Sequence, residues 1–147
     1  MHILSINHYI DNTGPSIWDT FSAIPGKIYE NENADIADES YDKYPEDIAL
    51  ASQMGLKYYR MSISWSRIIP SGKRNTKINT KGINHYIKVF RALEKSNIKP
   101  LVTLYHWDLP QGIEDEYKGW LSSEIEEDFK FYADTCFKHF GVCVIRL

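Results

Sequence analysis

Three consecutive side chains, His106-Trp107-Asp108, follow the apolar run LVTLY of residues 101–105. An imidazole can donate or accept a hydrogen bond and move a proton, an indole offers a flat apolar face with one N–H, and a carboxylate accepts hydrogen bonds. At the end of a strand such a set can grip a ligand, although a lone His is as readily structural. The neighbouring Trp107 and the strand-end position balance the two readings. Arg60, within LKYYRMSISW (56–65), is the second candidate, sharing a strand face with Ser62 and Ser64 in otherwise apolar sequence. A guanidinium buried there needs an anionic or strongly polar partner, because an unpaired buried charge costs several kcal/mol. It serves equally well as half of a structural ion pair or as the group that orients a catalytic carboxylate.

Other chemistry-bearing residues carry less. Asp108, Glu114, Asp115 and Glu116 cluster after the second strand and read as loop and cap residues facing water, with no spacing that fixes an acid/base pair. The five His and two Cys form no ligand pattern, so no metal site is expected. Neither a Gly-rich phosphate loop nor a nucleophile elbow occurs, and no cofactor is implied. The densest basic group, SGKRNTK (71–77), reads as a solvated loop rather than a phosphate cradle.

The elements that must position these residues follow from periodicity. Residues 1–12 have no clean pattern, and 13–39 are punctuated by Gly, Pro, Asn and Asp, with GPSIWDTF (14–21) as one turn packing Ile17, Trp18 and Phe21. Pro45 fits a first helical position, Ile48, Ala51 and Met54 share a face, and Gly55 stops that helix. Residues 56–65 alternate as a strand: Tyr59, Met61, Ile63 and Trp65 against Arg60, Ser62 and Ser64. A loop then leads to a helix over Lys81–Ser96 capped by Thr80, and Pro100 opens a second strand, LVTLYHW. After a further loop, DLPQGIEDEYKGW, Ser123 and Glu126 resemble a capping box before a stripe from Ile125 to Phe140. Helix, strand, helix, strand, helix implies crossovers and parallel strands, and α/β ligand sites lie at the carboxyl ends of strands, where Trp65, His106 and Trp107 fall.

The totals limit the partners. With 147 residues and 43% apolar content the chain suits one domain. A formal net charge of −3 with scattered Lys and Arg argues against nucleic acid. Without a run of about 18 apolar residues no spanning helix is expected, and no signal peptide is visible. Cys136 and Cys143 read as reduced thiols, which leans towards a reducing, cytoplasmic compartment without fixing it. An aromatic share of 14% suits flat, CH-rich faces such as sugar rings, which composition alone supports weakly.

The phrases GPSIWDTF, YRMSISWSRIIPSG, INTKGINHY, LVTLYHWDLPQ and GWLSSEIEEDFKFYADTCFKHFG occur in this order. Together they resemble the N-terminal part of glycoside hydrolase family 1, the β-glucosidase-like enzymes, over residues 14–141. Residues 1–13 read as a divergent lead-in and 142–147 as a divergent tail. The resemblance implies an α/β fold: a partial (β/α)8 TIM barrel of the first two to three βα units, truncated before strand 4. It also implies retaining hydrolysis of β-glycosides by two glutamates roughly 5 Å apart. His106 falls on the family's sugar-binding histidine, Trp107 on the adjoining aromatic of the same subsite, and Arg60 on the arginine that keeps the nucleophile ionised. The family's Asn-Glu-Pro and Glu-Asn-Gly segments, which bear the two glutamates, have no counterpart here, so no catalytic residue is assigned. The chain is expected to be inactive alone, with a β-glycoside or small sugar as ligand. The alternative is a non-catalytic sugar-binding or interaction protein, and a third reading is a chain that completes a barrel with a complementing C-terminal fragment as partner.

Overall fold

The computed structural model describes residues 11–31 and 39–142. In chain order the elements are α1 (Ile17–Ser22), α2 (Ser40–Gln53), β1 (Tyr58–Ser62), α3 (Trp65–Ile68), α4 (Thr80–Lys95), β2 (Lys99–Thr103), α5 (Gln111–Tyr117) and α6 (Glu124–Phe140). The sequence readings for residues 1–10, for 32–38 and for the tail from Cys143 onwards fall outside the described residues.

β1 and β2 pair in parallel, Arg60 opposite Leu101 and Met61 opposite Val102. Parallel neighbours require a crossover, which α4 provides. Strand alternation then separates two faces. Met61, Pro100 and Val102 are buried, whereas Tyr58, Arg60, Lys99 and Leu101 are exposed. The buried face joins a core with Tyr86, Val89, Phe90 and Leu93 of α4 and Ile125, Tyr132, Cys136 and Phe140 of α6. The spacing of these side chains is that of helices burying one stripe, as the sequence predicts.

Several boundaries depart from the sequence reading. β1 stops at Ser62 because the chain turns at Ser64, whose N–H donates to the Tyr86 hydroxyl (2.9 Å), and Trp65 opens α3. α2 begins at Ser40, with Pro45 inside it rather than at its first position. Tertiary contacts hold the extra turn: Tyr41 stacks on His85 with centroids 3.9 Å apart and the Arg67 guanidinium lies 4.5 Å over the Tyr41 ring, while the local pair of Lys43 with Glu39 adds to it. Pro45 forgoes only one backbone bond there. Met54 is the C-cap and 75% exposed, off the face shared by Ile48 and Ala51. Asn79, not Thr80, caps α4, and its amide donates to the carbonyls of Asp11 and Arg67. Ser123 makes no side-chain cap; the Ser122 hydroxyl accepts from the Glu124 N–H instead. The stretch read as loop after β2 contains α5 and a 3₁₀ turn at Gly119–Leu121. Of the three apolar side chains read as packing in α1, Ile17 is half-buried, whereas Trp18 and Phe21 stay exposed.

Candidate functional site

The carboxyl ends of both strands rest on a buried aromatic floor. The Tyr132 hydroxyl of α6 lies 3.0 Å from the Ile63 carbonyl and 2.8 Å from that of Leu104, so one side chain ties the end of β1 to the end of β2. Trp65 stacks on Tyr132 at 5.1 Å, and Phe129 meets both edge-on. Rings packed in this way are stiff, because each blocks the other's rotation.

Residues 14–17 clamp the loops above this floor. Gly14 N–H donates to the Ser66 carbonyl (3.0 Å), Ile17 N–H to that of Leu109 (2.8 Å) and Gln111 N–H to that of Pro15 (2.9 Å). Gly14 is required by space: a Cβ there would run into the Pro70 backbone carbonyl. The basic loop is docked rather than freely solvated. Lys73 pairs with Glu116, and Arg74 with Glu124 and with the buried Asp128, whose other oxygen accepts from the Tyr117 hydroxyl (2.7 Å).

On this platform His106 and Trp107 lie beyond the end of β2, in the loop rather than in the strand. His106 is half-buried. Trp107 is 71% exposed and has φ 70°, a left-handed conformation rare for a bulky residue. Next to it Tyr105 meets Trp120 edge-on at 5.0 Å, adding a second aromatic surface at the same end. Arg60 lies earlier in β1, on the exposed sheet face rather than in a buried one. Its Nε donates to the Thr103 hydroxyl across the strands (3.1 Å), and among the described residues no carboxylate pairs with it. No hydrogen bond among the described residues joins Arg60 to His106 or Trp107.

Asp108 overturns the reading of a water-facing cap. It is only 7% exposed and accepts the His106 N–H at Oδ1 (3.2 Å). Burial pushes its carboxyl up to about 6; hydrogen bonds from the His106 N–H, its own N–H and the Ser64 hydroxyl pull the other way, and Asp19 adds repulsion. A signal was present in the sequence, since Asp readily bonds nearby backbone at turns, but burial is not legible from local sequence. Glu114, Asp115 and Glu116 belong to α5. Among the described residues no group of three or more His, Cys, Asp or Glu is placed to hold a metal ion. Cys136 is fully buried, with its thiol pushed up to about 12 by burial, and therefore unreactive. Among the described residues no helix is long and apolar enough to cross a membrane.

Parallel strands joined by a helical crossover, with hydrogen-bonding and aromatic groups beyond their carboxyl ends, define a βαβ unit of an α/β scaffold. The sequence model of glycosyl hydrolase family 1 matches residues 7–146, and the chain belongs to that family of glycoside hydrolases. It is 55% identical over 129 residues to a furostanol glycoside 26-O-β-glucosidase of Hellenia speciosa, covering 87% of this chain and 23% of that protein. The crystal structure of a rice β-glucosidase superposes with a TM-score of 0.91 at 50% identity, covering 95% of this chain and 29% of that one. A family 1 β-glucosidase from Thermotoga maritima gives 0.89 at 38% identity, with 93% and 30% covered. The chain is thus part of a (β/α)8 barrel and spans about a quarter of the length of the curated relatives it matches.

Proposed function

We propose that this chain supplies one wall of the sugar site of a retaining β-glycosidase. In this reading His106 hydrogen-bonds hydroxyls of the glycone, Trp107 shapes the same subsite, and Arg60 stands beside the position of the nucleophile. The observation that carries the reading is the strand-end pair, a half-buried imidazole beside an exposed indole just past the end of β2. Sugars present hydroxyl rims and CH faces, the two features this pair complements.

Retaining hydrolysis needs one carboxylic acid to protonate the leaving oxygen and a carboxylate, roughly 5 Å from it, to attack the anomeric carbon. Neither Asn-Glu-Pro nor Glu-Asn-Gly, the segments the family resemblance attaches to these roles, occurs in the sequence. By itself the chain therefore binds sugar without cleaving it, and hydrolysis of O-glycosyl bonds belongs to an assembled barrel. A complementing partner is supported by the sheet: each strand has a neighbour on one side only among the described residues, which leaves edges for further strands.

Two measurements on the purified chain test this. With a chromogenic β-glucoside no release above background is expected. In a glucose titration followed by tryptophan fluorescence, binding on the order of millimolar, about 4 kcal/mol, is expected. His106→Ala and Trp107→Ala should each abolish it. Turnover comparable with a complete family enzyme, or glucose binding unaffected by both substitutions, would overturn the reading.

A further inference from the structure

The conformation of Trp107 calls for a physical cause. Left-handed backbone costs a non-glycine residue about 1–2 kcal/mol and persists only where its surroundings over-determine it. The residues on either side of Trp107 are joined to each other: the His106 N–H donates to Asp108 Oδ1, so the Asp108 side chain closes a small loop around the Trp107 backbone. Asp108 in turn is anchored. It is buried, and the following residue is fixed by the bond from Ile17 N–H to the Leu109 carbonyl.

We propose that Asp108 is the positioning residue of the sugar-contacting pair: its carboxylate, by accepting the His106 N–H, holds Trp107 left-handed and thereby aims His106 and Trp107 at the glycone. The aim at a sugar rests on the function proposed above; the hold on Trp107 does not. The titratable groups facing Asp108 are Asp19 of α1, Tyr86 of α4, Tyr132 of α6 and Tyr105 of its own strand end. None of these phenols ionises in the acid range, because burial raises all three. Protonating Asp108 turns the acceptor into a weaker one and loosens the bracket.

The test uses the whole chain with Asp108→Asn and Asp108→Ala, read by NMR between pH 4 and 8. In the wild type the Asp108 carboxyl carbon and the His106 amide should move together with a midpoint near about 6. In Asp108→Asn that amide step should vanish. The carboxamide oxygen can still accept, so Trp107 Cα and Hα shifts should stay left-handed in Asp108→Asn and leave that range in Asp108→Ala. Glucose binding in Asp108→Ala should weaken about tenfold, the factor by which releasing a left-handed residue depopulates the competent conformer.

A His106 amide step that survives Asp108→Asn overturns the proposal, as does a folded Asp108→Ala protein with Trp107 still left-handed. Should Asp108→Ala not fold, the amide step in Asp108→Asn decides. If the wild type binds no glucose, the functional reading falls, and the amide and Trp107 shifts still decide the role of Asp108.

Discussion

Two buried ionisable side chains pull the stability of this chain in opposite directions with pH. His85 is 8% exposed, stacked on Tyr41 and met edge-on by Tyr44. Burial, with repulsion from Arg67 and Lys88, holds its imidazole down from 6.5 to about 3. The folded state thus favours the neutral ring, and that stability is complete above 6.5 and lost as pH falls towards 3. By pH 5 the loss is about 2 kcal/mol. Asp108, pushed up from 3.8 to about 6, contributes in the other sense: its stabilisation is complete below 3.8 and lost as pH rises through 6. Going from pH 7 to pH 5 it therefore regains about 1 kcal/mol. His85 has the larger shift, so acidification should destabilise the pair overall. His85→Phe keeps a ring for the stack and removes the titration. Urea unfolding should show the wild type losing about 2 kcal/mol relative to that variant between pH 7 and pH 5. A difference independent of pH would rule out a buried neutral His85.

At the scale of elements, Tyr132 connects most to the site, since its hydroxyl is the link from α6 to both strand ends. Tyr132→Phe keeps the stack on Trp65 and takes a donor from two carbonyls, which should cost about 1–3 kcal/mol. The loss should appear as a lower urea midpoint, together with faster amide exchange at the strand ends and unchanged exchange in α2. An unaltered midpoint would show that the hydroxyl is dispensable. Sequence periodicity locates α4, α6 and both strands because each buries a stripe against its neighbours, and period is what a sequence displays directly. It misses what depends on a distant partner. The first turn of α2 needs His85 and Arg67, the end of β1 needs Tyr86, and α5 sits in a stretch rich in turn residues. The same holds within the candidate site. His106 and Trp107 stand out by type and by family resemblance, and the structure places them in the loop past the strand end rather than in the strand. Arg60 looked buried because alternation reveals which residues share a face, not whether that face is covered. Asp108 looked exposed because nothing local announces the elements that enclose it.

For the whole molecule the uncovered surfaces decide behaviour. Among the described residues the sheet has two strands, with Tyr58 and Leu101 exposed on one face, and Trp18, Phe21 and Ile24 of the α1 region form a second apolar patch. Unpaired strand edges beside apolar faces template association between chains. A (β/α)8 barrel removes its edges by closing, and this chain spans about a quarter of its curated relatives. The isolated chain should therefore self-associate. Light scattering should give a mass above 17.1 kDa that grows with concentration. Charge on the open face opposes edge pairing, so Tyr58→Lys with Leu101→Lys should lower that mass while leaving helical circular dichroism unchanged. Adding the remaining segment of a family 1 barrel should do the same to the wild type, by filling the edges that otherwise meet a second copy. A clean wild-type monomer at all concentrations, with one cooperative thermal transition, would mean that the exposed face and edges need no partner.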